Sequence, residues 1–412
     1  MSTSITDPIQ PKGFRDLSIN QQFEFDHWIQ TITKVYKSRG FMPLRTSAVE
    51  LSSVLLAKEG GETTKEIFMI PRAKHDLALR FDLTVPLARY VAANQQDIKF
   101  PFRRYQIGQS WRAENTQSGR KREFYQADID IIGDDSIYAD ADVIISAIKA
   151  YQALDIEAIA RINHRELLAN MVRQAGGSQI TEALRLIDKR DKLDKIRFGE
   201  LLTGLVDDPK SITQYLDQVY QLGQLDALQE SGLSQLDYLT KLGEILAREV
   251  GVGSFCFDFG LARGFDYYTG MVVEFFLPGN STAVGSGGRY DNLISGYSSR
   301  SLGGVGCSIG VTRLFDHINP SGRGTLSEYL IAILDPEYLG FAQSVRLKVE
   351  ELGGNCQIYT ASSKLKHIFD YADRWAIDKL IIIGSDEIDS GQIKIKDLKT
   401  KLEETIEVKE QN

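Results

Sequence analysis

Cysteine is nearly missing from this chain: Cys256, Cys307 and Cys356 are the three in 412 residues, and they lie far apart. Such a set cannot build a disulfide framework, and it fits a reducing compartment. Histidine is also scarce, with five scattered residues and none grouped at zinc-ligand spacing. No apolar run approaches the roughly 18 residues of a membrane span, so no membrane association is expected. The opening stretch MSTSITDPIQPKGFRD lacks a basic segment followed by an apolar one. Secretion is therefore not expected, and a cytoplasmic location is. Excess positive charge is absent as well, with 48 basic against 56 acidic residues, a net charge of -8 and a pI near 5.4. That balance argues against unspecific coating of nucleic acid, yet leaves room for RNA recognition through one local basic surface.

What is present is the composition of an ordinary globular protein, long enough for two or three domains. Phe23, Trp28, Ile29, Ile32 and Tyr36 recur at helical spacing, and Gly40 can end that helix. A strand is expected over Phe41–Leu44. Glu66–Ile70 and Leu77–Phe81 flank a short turn and read as a hairpin. With Arg104–Arg112 and the segment after Arg122 they suggest one antiparallel sheet, because the links are too short for parallel crossovers. Residues 123–133, EFYQADIDIIG, alternate: Phe124, then Ala127, Ile129 and Ile131 form the apolar set, opposed by Gln126, Asp128 and Asp130. Such a polar row calls for something polar above it.

From about residue 136 to 249 the pattern is helical, highly charged and weak in apolar periodicity, which suggests a helical insertion. Strands return at Phe255–Phe259 and Met271–Phe276, followed by a glycine-dense stretch from Gly285 to Gly310 that implies tight backbone geometry. Pro320–Gly324 reads as a linker. Beyond it, strands and helices alternate in a small α/β unit with parallel strands, closed by a last strand and helix.

Two polar constellations stand out. Between Arg103 and Arg122 six basic residues face one acidic residue, a local +5 suited to phosphates. The second comprises LARGFDYYTG (261–270) and GGRYD (287–291), where consecutive tyrosines place at least one hydroxyl toward a ligand.

These segments resemble the class II aminoacyl-tRNA synthetases, and most specifically the histidyl-tRNA synthetases. Motif 1 matches Gly40–Glu50, motif 2 matches Gly108–Gly133, and motif 3 matches GCSIGVTRLF (306–315). LARGFDYYTGMVVEF (261–275) and GSGGRYDNLI (285–294) resemble the two histidine-specific signatures. The resemblance implies an α+β catalytic core, with an antiparallel sheet flanked by helices, a helical insertion and a C-terminal α/β anticodon-binding domain. Its divisions would fall at 1–135, 136–250, 251–325 and 326–412. It implies ATP and Mg2+ as cofactors, L-histidine and tRNA(His) as partners, and a homodimer.

By similarity, Arg112 and Arg263 would be the catalytic cations at the α-phosphate, and Arg313 would clamp the γ-phosphate. Arg120 and Arg122 would flank the nucleotide, and Glu114 would bind the adenine amino group. Asp82, Thr84 and Gln126 would hold the substrate's α-ammonium; Asp130 and Tyr268 would read the imidazole nitrogens, with Tyr267 beside them and Tyr290 closing the pocket. No dedicated protein metal site is implied. Two positions depart from the pattern: Ser47 stands where motif 1 carries proline, and Thr312 where motif 3 carries an acid. The alternative that the resemblance leaves is a synthetase-like regulatory subunit of ATP phosphoribosyltransferase, which usually lacks the C-terminal domain.

Overall fold

Two ten-residue antiparallel strands, Phe102–Trp111 and Glu123–Ile132, anchor the main sheet. In this computed structural model the described residues are 7–57, 67–71, 76–114, 120–262, 264, 267–292, 294–297, 302–320 and 325–408. They form two compact units: residues up to Arg15 with Trp28–Asn319, and Asp16–His27 with Pro320–Asn412. The assignment of Asp16–His27 to the second unit has no counterpart in the sequence reading.

The strands of the first unit are β1 (Met42–Pro43), β2 (Val49–Leu51), β3 (Met69–Ile70), β4 (Leu77–Leu79), β5 (Phe102–Trp111), β6 (Glu123–Ile132), β7 (Ile159–His164), β8 (Val219–Tyr220), β9 (Phe255–Asp258), β10 (Met271–Phe276), β11 (Ala283–Arg289) and β12 (Gly304–Ile309). Nine of them make one sheet in the order β1-β5-β6-β12-β11-β10-β7-β9-β8. From β5 to β7 every pairing is antiparallel. β5 and β6 pair along their whole length, from Phe102 opposite Ile132 to Trp111 opposite Glu123.

The expected hairpin also forms, with Ile70 opposite Leu77. It does not join the main sheet, however: β3 and β4 combine with β2 in a separate three-stranded sheet. Glu66 lies outside the described residues.

One face of the main sheet is covered by the helix Ile137–Ala153, which Ser136 caps by accepting the Ala139 N–H. Its Val143, Ile144, Ile145, Ala147, Ile148 and Tyr151 are all buried, because it is packed against β6 and β12 as well as against the helix Leu236–Val250. Leu236, Leu239, Leu242 and Leu246 line the buried side of that second helix. The region 136–250 is thus less purely helical than its sequence suggests. Ile159–His164 is a six-residue strand in the main sheet, between β10 and β9, too short to stand out between long helices.

The second unit contains β13 (Tyr329–Ile333), β14 (Cys356–Tyr359), β15 (Lys379–Ile383), β16 (Gln392–Asp397) and β17 (Glu403–Glu407), in the order β14-β13-β15-β16-β17. The first three are parallel, as expected. Helix residues cover both faces of β13 and β15: Phe341, Val345 and Val349 on one, Ile368 and Ala372 on the other. This explains the unbroken apolar runs YLIAI and KLIII. The end of the chain differs from expectation, since a short helix, Ser385–Ser390, precedes two antiparallel strands. Asp397 turns the chain between them by accepting the N–H groups of Lys399 and Thr400.

Gly306 on β12 lies opposite Asp130. A Cβ there would overlap the Asp130 carboxylate and stand 2.7 Å from the Ile129 carbonyl oxygen. Gly306→Ala should therefore cost about 2 kcal/mol or more in denaturant unfolding. Gly253→Ala, with nothing within 4 Å, should leave stability unchanged.

Candidate active site

Strand alternation places a polar ladder on the sheet face away from Ile137–Ala153. One rung crosses the sheet as Arg104, Asp130, Gly306, Gly288 and Val272; the next runs through Gln106, Asp128, Ser308, Ser286 and Glu274. Over this face opens a cleft of about 460 Å³. Ala127, Ile129 and Ile131 point to the other side and are fully buried. Phe124, grouped with them in the sequence, has the parity of Gln126 and lines the cleft instead.

The cleft gathers most of the expected residues. Asp82 and Thr84 border it, as do Gln126, Asp130, Tyr267, Tyr268 and Tyr290. Arg112, Glu114, Arg120 and Arg313 line it too. Arg122 is not among the lining residues; its Nε donates to the Glu114 carbonyl at 3.1 Å and ties down the end of the loop. Arg263 lies outside the described residues.

The cations are held by backbone carbonyls and a ring. Arg112 Nε donates to the Phe81 carbonyl at 3.2 Å, and its guanidinium sits 5.1 Å from the Phe124 ring centroid. Arg313 Nη1 donates to the Ala283 carbonyl at 2.9 Å. Arg120 pairs with Glu114 at 3.0 Å. Not all of the local +5 serves the cleft. Arg103 points to the opposite face, where it pairs with Asp142 and covers the Phe41 ring. Arg104 is fully buried under the cleft.

Tyr267 and Tyr268 both line the cleft, and both tyrosine backbone N–H groups donate to the Gly264 carbonyl. Gly264 has φ 73°, a conformation suited to glycine. The Tyr268 ring is seated between glycines: a Cβ on Gly264 or Gly288 would come within 2.6 Å of it. Burial pushes the hydroxyls of Tyr267, Tyr268 and Tyr290 up, so all three are neutral donors near pH 7.

The carboxyls carry the strongest electrostatics. Tyr290 donates its hydroxyl to Asp130 Oδ1, and Arg104 Nη2 lies 2.8 Å from Asp130 Oδ2. Burial raises the pKa of Asp130 while Arg104 and Tyr290 oppose that rise. Asp128, two residues away and also buried, is pushed up to about 7; burial is the main cause, Arg104 counters it and the charge of Asp130 adds to it. Gln126 Nε2 donates to Ser308 at 2.9 Å, while its buried Oε1 has no hydrogen-bond partner among the described residues.

Residues 13–314 match the family model for histidyl-tRNA synthetase. The chain belongs to the histidyl-tRNA synthetase family. Residues 328–411 match the model of an anticodon binding domain. Histidine–tRNA ligase from Clostridium acetobutylicum is 33% identical, with all of both chains covered. The crystal structure of a histidyl-tRNA synthetase from Nostoc is similar at a TM-score of 0.88 and 27% identity, covering 98% of this chain and 97% of that one. A Bacillus halodurans structure titled as an ATP phosphoribosyltransferase regulatory subunit/histidyl-tRNA synthetase shares the fold at a TM-score of 0.79 and 21% identity, over 93% of this chain and all of that one.

Both departures from the synthetase pattern have local structural uses. The Thr312 hydroxyl accepts the Tyr125 N–H at 2.8 Å, tying the helix Val311–Ile318 to β6. The Ser47 hydroxyl accepts the Val49 N–H, and its carbonyl receives Arg80 Nη1 at 3.3 Å. The sequence placed Asp128 in the polar row and Arg104 in the basic cluster without assigning either a particular contact, and it did not single out Glu274 or Ser308. Arg104 stands directly opposite Asp130 and Ser308 opposite Asp128, and such cross-strand pairing was the missing signal.

The Asp128 carboxyl has a stability consequence. Between the ordinary value of 3.8 and about 7, the folded chain keeps a proton that the unfolded chain has released, so stability falls as pH rises through that window. From pH 5 to pH 8 this amounts to about 2 to 3 kcal/mol. Asp128→Asn should remove that share of the decline in denaturant unfolding, and equal pH dependence in both proteins would contradict it.

Proposed function

We infer that this protein activates L-histidine with ATP and transfers it to tRNA(His). The observation that carries this reading is one cleft lined both by Arg112, Arg120 and Arg313 and by the buried carboxyls of Asp128 and Asp130 with Tyr267, Tyr268 and Tyr290. In the first step a histidine carboxylate oxygen bonds to the α-phosphorus of ATP and the bond to pyrophosphate breaks. In the second, a hydroxyl of the tRNA's terminal ribose attacks the activated carbonyl and AMP leaves.

No side chain needs to be a nucleophile, because positioning and fixed charge suffice. Arg112 and Arg263 hold the α-phosphate, Arg313 the γ-phosphate, and Glu114 the adenine amino group, with Arg120 and Arg122 along the loop. Asp82, Thr84 and the unpartnered Gln126 Oε1 receive the α-ammonium. Asp130 and Tyr268 meet the imidazole nitrogens, and Tyr290 keeps Asp130 in place. Mg2+ neutralises phosphate charge when bound. Among the described residues no three His, Cys, Asp or Glu side chains cluster as a metal site.

The anticodon-domain match supports the synthetase over the regulatory reading. The candidates for tRNA contact in the second unit are Lys364, Lys366, Lys394, Lys396, Lys399 and Lys401; Lys396 faces Glu403, Lys399 faces Asp378 and Lys401 donates to the Leu398 carbonyl, so Lys364, Lys366 and Lys394 are the better ones. Exposed Met42, Val49, Leu51 and Met69 support a homodimer that covers them. No helix among the described residues is long and apolar enough to cross a membrane, and we place the protein in the cytoplasm.

Exchange of pyrophosphate into ATP, run with each of the twenty amino acids, should show a signal with histidine; a silent enzyme would defeat the activation reading. Arg263→Ala should slow single-turnover adenylate formation about 100-fold, near 2.7 kcal/mol, with histidine affinity little changed. Sedimentation should find twice the 46.2 kDa chain mass, and an active monomer at micromolar concentration would contradict the dimer.

A further inference from the structure

Asp128 takes no part in the roles above, yet it lines the cleft and is only 3% exposed. Its Oδ1 has no hydrogen-bond partner among the described residues. Asp130 Oδ2 likewise has no hydrogen-bond partner among the described residues, but it faces the Arg104 guanidinium at 2.8 Å while Oδ1 receives Tyr290; Asp128 Oδ1 has neither kind of partner. A buried carboxyl oxygen that lacks a donor is costly, and a bound N–H would repay that cost.

Position on the strand points the same way. Gln126, Asp128 and Asp130 project from one face of β6. Gln126 and Asp130 are four residues apart, roughly 13 Å of extended chain. Asp128 lies midway between them on the same face, so an amino acid held between Gln126 and Asp130 lies over Asp128. Ser308, the cross-strand neighbour, hydrogen-bonds Asp128 and also receives Gln126 Nε2. The carboxyl is thereby held in place while Oδ1 stays available.

We propose that Asp128 is a specificity-determining residue of this pocket, its Oδ1 sharing with Asp130 the one imidazole N–H of the bound histidine while Tyr268 donates to the other ring nitrogen. The proposal rests on the histidine-activation reading. It is supported by the position of the carboxyl's titration near neutrality, at about 7. The charged groups acting on it are Arg104 from β5, Asp130 from its own strand, and Arg80 and Asp82 from the segment before Thr84. Tyr268 above the sheet and Tyr36 and Cys307 from the far side also face it, and burial keeps these three neutral. An N–H donor arriving at Oδ1 favours the ionised carboxylate, so histidine binding tightens as pH rises from 6 to 8 and releases a proton from Asp128.

The test uses the full chain with Asp128→Ala and Asp128→Asn. Pyrophosphate exchange gives the KM for histidine and for ATP, and calorimetry gives the histidine Kd from pH 6 to pH 8. Asp128→Ala should raise the histidine KM and Kd about 30-fold, the scale of one charge-assisted hydrogen bond, with the ATP KM within about 3-fold of the parent. Asp128→Asn keeps the shape, and its amide oxygen restores part of the affinity. It cannot titrate, so the proton release and the Asp128 share of the pH dependence should vanish. A histidine KM within about 3-fold of the parent in Asp128→Ala, or an equal rise in both KM values, would overturn the proposal. So would unchanged proton release in Asp128→Asn. If Asp128→Ala does not fold, Asp128→Asn decides, since it is expected to be at least as stable above pH 7. A parent protein without histidine-dependent exchange defeats the activation reading itself; a working parent with unaffected variants defeats only the role of Asp128.

Discussion

A single guanidinium stands under two buried carboxyls. Arg104 is fully buried, ion-paired with Asp130 and close enough to Asp128 to hold its pKa down against burial. One positive charge cannot fully compensate two negative ones in a medium where each unpaired charge is expensive. The site resolves this unequally: Asp130 takes the ion pair and the Tyr290 hydroxyl, while Asp128, also buried, is pushed up to about 7. That asymmetry depends on register, because Arg104 is directly opposite Asp130 whereas Gln106 is opposite Asp128. A slip of one residue between β5 and β6 would send the charged row into the helix-covered face. The full-length hairpin is what secures the electrostatics.

The sequence made the alternation of β6, the antiparallel core and the three parallel strands of the second unit legible, since each is a local pattern of period two or an apolar run. Residues carrying motif resemblances were also legible, and the cleft assembles nearly all of those that fall within the described residues. What could not be read was anything set by pairing across strands. Arg104 looked like one more phosphate-seeking cation beside Arg103, although the two point to opposite faces. Phe124 was placed with the wrong parity by one residue. β7 was lost between helices because six residues carry little periodic signal. The partition of Asp16–His27 into the second unit depends on contacts distant in sequence, which no local pattern encodes.

The polar ladder also shows how one sheet presents two kinds of chemistry to the cleft. Along β6 the side chains pass from Phe124, which supports the Arg112 guanidinium, to Gln126, then to the two carboxyls. Polarity thus changes sign within one strand, from a region suited to phosphate to one suited to N–H donors. Thr312 belongs to this arrangement although it carries no charge, since its hydroxyl fixes the helix bearing Arg313 to the backbone of β6.

The glycines facing the cleft have a thermodynamic consequence. Gly264 and Gly288 leave room for the Tyr268 ring, and Gly306 leaves room for the Asp130 carboxylate. Each side chain fills the space where a Cβ would be, so neighbouring backbone restricts the rotation of its χ angles before any ligand arrives. Freezing a side chain on binding ordinarily costs about 0.5 to 1.5 kcal/mol. In this pocket that conformational entropy is surrendered during folding, so a ligand entering it meets donors and acceptors that no longer have to choose a rotamer.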